Sequence, residues 1–130
     1  MRVLAVDLGR LRIGIAVGET EFRVATPRPN LTATGTLKRD AEAISVLAKK
    51  EEVERIVVGH PLNEEDERMA RVCSQFADLM REHGWHVELV DESFTSVQAD
   101  ENLADLKGSQ RRKRRDGEAA AVILERYFNG

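Results

Sequence analysis

The chain has 130 residues, 42% hydrophobic and 33% charged, which excludes a disordered or collagen-like polymer and fits one compact domain over residues 1–130. No apolar stretch approaches the roughly 18 residues of a membrane span, and the opening MRVLAVDLGR reaches an aspartate too early for a secretory signal, so a cytoplasmic protein without membrane contact is expected. The net charge is −3, and the single cysteine, Cys73, excludes an internal disulfide or a multi-thiolate metal centre.

In chain order, residues 2–8 form an apolar strand that stops at Gly9-Arg10. Ile13 to Val17 form a second, after so short a connection that the two must pair as an antiparallel hairpin. Phe22 to Ala25 supply a third strand before Pro27 and Pro29 break the chain, with residues 30–36 in a loop. From Leu37 to Glu52 the spacing turns helical, with Leu37, Ala41, Ile44, Leu47 and Ala48 three or four apart. Arg55 to His60 is the next strand, stopped by Pro61. A helix from Glu64 to His83 carries Met69, Val72, Cys73, Phe76, Ala77 and Met80 on one face, begins with acids and ends at Gly84. The strand His86 to Asp91 follows. Thr95 and Gln98 have capping-box spacing for a third helix to about Leu106, ended by Gly108, and a final helix occupies about Arg115 to Phe128. Strand–helix–strand units require parallel neighbours, whereas the opening hairpin requires antiparallel ones. The order therefore predicts an α/β, three-layer domain: a mixed five-stranded sheet with an N-terminal antiparallel hairpin and helices on both faces.

Three acids stand where burial is expected, which costs several kcal/mol unless something compensates the charge. Asp7 closes the first strand on the face shared with Val3 and Ala5. Glu92 follows the last strand. Asp116 lies in the first turn of the final helix, within about 40° of Ala120, Ile123 and Tyr127 around the axis. Each has a plainer role available: a turn cap for Asp7, an exposed loop acid for Glu92, a helix-dipole acid for Asp116. If strand ends and helix start meet at one sheet edge, the acids share a site that needs cations. An oxygen-only set suits Mg²⁺ or Mn²⁺ better than Zn²⁺, and phosphoryl transfer is the chemistry such a site serves best.

Six of the 20 basic residues fall between Lys107 and Arg115 with no acid among them, so the remaining 14 face all 23 acids. A basic run on an acidic body points to local phosphate contact, or to a solvated, mobile loop. His60, in Val-Val-Gly-His-Pro-Leu-Asn, ends a strand near the expected site and is a candidate phosphate or leaving-group contact. Asn63 is equally a helix cap or a substrate contact. Cys73 reads as packing, and Trp85 as core rather than a stacking platform.

These residues resemble the YqgF, or RuvX-like, family of bacterial nucleases with the ribonuclease H-like fold. The likeness spans essentially the whole chain. It rests on Asp7-Leu-Gly9-Arg-Leu-Arg12-Ile-Gly14-Ile-Ala16, similar to D-x-G-x-x-R-x-G-x-A, and on Val58-Gly59-His60-Pro61-Leu62-Asn63, similar to V-G-x-P-L-N. It continues with Asp91-Glu92-Ser93-Phe94-Thr95-Ser96, similar to D-E-R-x-T-S, and with Asp116-Gly-Glu-Ala119-Ala120-Ala-Val-Ile123-Leu124, similar to D-x-x-A-A-x-x-I-L. Ser93 stands where an arginine is usual, His60 where an apolar residue is common, and Gly18-Glu19 replaces a Ser-Asp pair. The resemblance implies a metal-dependent nuclease with Asp7, Glu92 and Asp116 as catalytic and metal-binding acids, holding Mg²⁺ or Mn²⁺.

On that reading a water attacks a phosphodiester in line. Arg12, Asn63 and the run Arg111, Arg112, Lys113, Arg114 and Arg115 bind nucleic acid, while His60 and Thr95 are further contacts. The family implies processing of the 5′ end of precursor 16S ribosomal RNA, or resolution of Holliday junctions. RNA is favoured and DNA allowed, with the protein a monomer or a homodimer. Phosphate contacts give salt dependence but little base specificity, so shape defines the substrate. Two other classes compete. An ATP-hydrolysing, sugar-kinase-like domain is opposed by length, because it closes nucleotide between two lobes. A non-catalytic RNA-binding ribosome-assembly factor would differ by retaining function without the acids.

Overall fold

In the computed structural model, which describes residues 1–60, 67–91 and 108–130, with 108–118 by backbone alone, five strands form one sheet. β1 (Arg2–Leu8) pairs antiparallel with β2 (Arg12–Glu19), from Arg2↔Glu19 to Leu8↔Ile13. β3 (Val24–Thr32) pairs antiparallel with β2 on its outer side. β4 (Arg55–His60) and β5 (Val87–Asp91) run parallel to β1, giving the order β3-β2-β1-β4-β5. The predicted mixed five-stranded sheet is therefore present, with its hairpin first.

The hairpin is tight because of Gly9. Its N–H donates to the Arg12 carbonyl at 3.0 Å, and a Cβ there would sit 2.6 Å from that same oxygen. Only glycine brings the chain round this closely, one residue past the end of the strand that carries Asp7.

Side chains alternate along each strand, so the two faces bury different sets. Leu4, Val6, Ile13, Ile15 and Val17 pack beneath α1 (Leu37–Lys50) and α2 (Glu67–Glu82), with Ile44, Phe76 and Met80 fully buried. Val3, Ala5, Ala16 and Val57 pack beneath α3 (Gly108–Asn129), against Ala120, Ile123 and Leu124. Small residues on both surfaces let α3 lie close. At Gly18 a Cβ would come 2.3 Å from the Val24 carbonyl oxygen and 3.1 Å from the Phe128 ring.

α2 ends as the sequence predicts. Gly84 takes φ +95°, its N–H donates to Arg81 O, and the Trp85 N–H reaches back to Met80 O, a Schellman closure. Trp85 is packed against the first core, with its indole N–H donating to Ser45 Oγ at 2.8 Å. Cys73 is buried. The expected helix after Thr95 lies outside the described residues, as does the start of the helix expected from Glu64.

Some boundaries differ from expectation. β2 extends over Arg12–Glu19, and β3 does not span Phe22 to Ala25 but starts at Val24 and runs through Pro27 and Pro29 to Thr32, taking in residues expected in the loop. Proline removes a ladder donor, but among the described residues β3 has a strand neighbour only on the β2 side, and the register shifts between Ile13 and Ile15, so an edge strand with a bulge absorbs both rings. The final helix begins at Gly108, not near Arg115. Arg111 to Arg115 therefore stand on a helix rather than in a loop, and Asp116 lies more than two turns inside it, past the reach of an N-terminal dipole. Among the described residues no helix is long and apolar enough to cross a membrane.

Glu51, just past α1, ties three elements together. Its Oε2 accepts from Arg28 Nε at 2.8 Å and its Oε1 from Arg2 at 3.2 Å. The Arg28 hydrogen bond, supported by Arg2, holds this carboxyl below its ordinary pKa against the opposing effect of burial. A depressed folded-state pKa adds stability above the ordinary carboxyl value, and that stability is lost as pH falls through the folded value. Glu51→Gln is thus expected to lower stability by about 1 kcal/mol at neutral pH, the difference closing as pH falls below the ordinary carboxyl range and through the lowered folded-state value. Urea midpoints across that range check this, and equal midpoints at neutral pH would refute it.

Candidate active site

Asp7 occupies the position in β1 directly opposite Gly14 of β2. Strand alternation puts it on the α3 side, with Val3 and Ala5, and it is half-buried there. In the other direction β1 and β4 are paired up to Val6↔Val58, so the residue following that pair in β4 is Gly59, also buried. The carboxylate thus stands in a row between two residues without side chains.

α3 packs across this face. At its C-terminal end the Arg55 guanidinium donates to the Tyr127 hydroxyl, and Arg55 is the register partner of Val3. Asp116 lies eleven residues before Tyr127, about 16 Å back along the helix. Asp7 lies four residues past Val3, about 13 Å along the strand. β5 ends at Asp91, paired with His60 at the same sheet edge, two strands or about 10 Å from β1. Glu92, the next residue in sequence, lies outside the described residues, as do Asn63 and Thr95.

Nothing is described of the side chains of Asp116 and of Arg111, Arg112, Lys113, Arg114 and Arg115 beyond their place on α3. Among the described residues no group of three or more His, Cys, Asp or Glu gathers to hold a metal. Two members of the expected trio fall outside that set.

Arg12 opens β2 two residues before Gly14, exposed and on the Asp7 face by alternation. His60 is placed otherwise. It points to the α1/α2 face, where its Nε2 lies 3.4 Å from Ser74 Oγ, a long contact, and its buried Nδ1 has no hydrogen-bond partner among the described residues. The same edge carries both residues, but on opposite sides of the sheet. Sequence reasoning has no signal for Ser74, which is an ordinary polar position on α2 until the fold sets it beside β4.

A second feature at this edge has no signature in the sequence. On the α1/α2 face a cleft of about 390 Å³ opens beside the β1–β2 turn, lined by Gly9, Arg10, Leu37, Asp40, Arg68 and Met69 among others. A first-turn acid such as Asp40 reads in sequence as a dipole partner, and its burial is visible only in three dimensions.

Residues 1–130 match the family described as "RuvX: Holliday junction resolvase". A protein of Anaeromyxobacter sp. (strain Fw109-5) named "Putative pre-16S rRNA nuclease" is 38% identical, covering 100% of this chain and 98% of its own length. One of the same name from Thermus thermophilus is 39% identical, covering 98% and 97%. Among solved structures, one titled "T. thermophilus RuvC in complex with Holliday junction substrate" superposes with a TM-score of 0.60 at 14% identity, over 98% of this chain and 93% of the other. That likeness establishes the fold as ribonuclease H-like.

Proposed function

The chain belongs to the RuvX family, and from that premise we propose that it is a divalent-metal-dependent nuclease of the cytoplasm that trims the 5′ end of precursor 16S ribosomal RNA. The observation that carries this reading is the placement of Asp7: a half-buried carboxylate near the C-terminal end of β1, between Gly14 and Gly59, on the sheet face that α3 covers. Asp7, Glu92 and Asp116 offer only oxygen donors, which fits Mg²⁺ or Mn²⁺ and no softer ion. When bound, such an ion supplies Lewis acidity at the scissile phosphate and lowers the pKa of water.

The chain's own residues do the rest. Asp7 anchors the site from the rigid centre of the sheet, and Glu92 and Asp116 complete its acidic wall. Arg12, on the same face, takes a phosphate oxygen. Arg111, Arg112, Lys113, Arg114 and Arg115 lie on the N-terminal half of α3, upstream of Asp116, so a backbone held along that helix is led towards Asp7. Contacts of this kind read phosphate and shape, not bases, and weaken as salt rises.

The description of the matching family favours a second reading, the four-way DNA junction, which calls for a symmetric homodimer that cuts two strands. A side-by-side assay separates the two. Precursor 16S RNA and a labelled four-way DNA junction are incubated with Mg²⁺, with Mn²⁺ and with EDTA, alongside light scattering. RNA cleavage that EDTA stops is expected from the monomer or the homodimer. Junction cleavage alone, by a dimer, would give the DNA reading; cleavage of neither would remove the enzyme reading in favour of a non-catalytic RNA-binding assembly factor.

A further inference from the structure

The cleft on the α1/α2 face has the make-up of a nucleotide subsite. Its volume of about 390 Å³ lies in the range of small-molecule sites. Leu37, Met69 and Val72 give it an apolar wall, and Arg10 and Arg68, both exposed, stand at its mouth. Asp40 is 6% exposed, so it is a charged group buried in the lining. Its Oδ1 accepts from the Thr34 N–H at 2.9 Å and from the Thr34 hydroxyl at 2.8 Å. Both of these bonds go to the same oxygen, Oδ1. A carboxylate that lines the cleft has a second oxygen that can accept N–H donors from a ligand.

We propose that this cleft binds one unpaired nucleotide of the nucleic-acid substrate, guanine in preference to uracil. The base lies on Leu37, Met69 and Val72 and donates N–H to Asp40 Oδ2, while its phosphate meets Arg10 and Arg68. The inference rests on the nucleic-acid reading above and deepens it. Gly9, on the rim, is two residues past Asp7, so a strand crossing the β1–β2 turn joins the two faces of the sheet edge. Guanine presents two adjacent donors, N1–H and the 2-amino group. Uracil offers one N–H flanked by two carbonyl oxygens that the carboxylate repels. The subsite would then select an extrahelical nucleotide beside the cleaved bond, which phosphate contacts alone do not do.

The test is a methyl NMR titration of the full chain in EDTA, with guanosine 5′-monophosphate, uridine 5′-monophosphate and inorganic phosphate as probes. Guanosine monophosphate is expected to shift the Leu37, Met69 and Val72 methyls saturably and to bind about tenfold tighter than uridine monophosphate. Asp40→Asn keeps the Oδ1 acceptor for Thr34 and turns the other position into a donor, so the fold is held while guanosine monophosphate binding weakens about tenfold. Arg10→Ala with Arg68→Ala, both at exposed positions, weakens both nucleotides and supplies a second variant should Asp40→Asn not fold. The proposal is overturned if these methyls do not move, if phosphate alone binds as tightly, or if both variants bind like the wild type. No divalent ion and no cleavage enter this titration. An inactive protein that binds here sinks the nuclease reading alone, and an active one whose cleft stays silent sinks the subsite alone.

Discussion

Asp7→Asn is expected to abolish RNA cleavage while the protein remains folded. The substitution preserves size and hydrogen-bonding shape but removes the charge near the C-terminal end of β1, between Gly14 and Gly59. Residues that only support a metal ligand typically cost 10- to 100-fold in activity or affinity when changed, so losing a ligand itself should cost about a hundredfold or more. Asp7 is half-buried on the side of the second core, and asparagine keeps its size and an acceptor oxygen there, so the fold should be retained. Cleavage of labelled precursor RNA under Mg²⁺ and Mn²⁺, with a thermal melt of the same sample, tests both halves. Retained cleavage in rigorously purified protein would show that Asp7 is not part of the site. Lost cleavage together with a collapsed melt would make it a structural residue instead.

For stability, the largest effect is expected at Phe76→Ala. Among the described residues Phe76 is the largest fully buried side chain, and it sits on α2 against the sheet, in the core that also holds Leu4, Ile44 and Met80. Deleting a buried phenyl ring costs about 3–5 kcal/mol, the lost transfer energy plus the cavity left behind. In a chain of this size that is a fall in Tm of about 10–20 °C. Leu11→Ala is the control. Leu11 is 76% exposed at the hairpin turn, and its truncation should change stability by no more than about 0.5 kcal/mol. A Phe76→Ala melt within a few degrees of wild type would mean that the α2 face contributes little to the cooperative unit.

Where the sequence is informative, the physics is local. Strand β1, the hairpin after Gly9, and β4 are found where the apolar runs and turn residues put them, because a double-sided buried strand admits little else. The orientation of Asp7 follows from alternation alone. β3 reads too short because its prolines argue against a strand unless its position at the sheet edge is known, and that is a tertiary fact. The start of α3 reads too late for a related reason. Arg111 to Arg115 have no apolar periodicity, so nothing in that stretch distinguishes a helix from a solvated loop. Asp40 is the same lesson in reverse: its spacing is that of any first-turn acid, and only the fold buries it beside Thr34.

The outer rim of β3 has a consequence for behaviour at high concentration. An unpaired strand is a template on which a second copy can add a strand, and accretion of that sort leads to fibres. Here the rim contains Pro27 and Pro29, two positions with no amide hydrogen to offer, and a bulge that takes in Pro29. Growth of the sheet outward from this side is disfavoured by covalent chemistry, because two positions of the strand lack a donor. Replacing the two rings with β-branched residues would keep the fold and remove that protection.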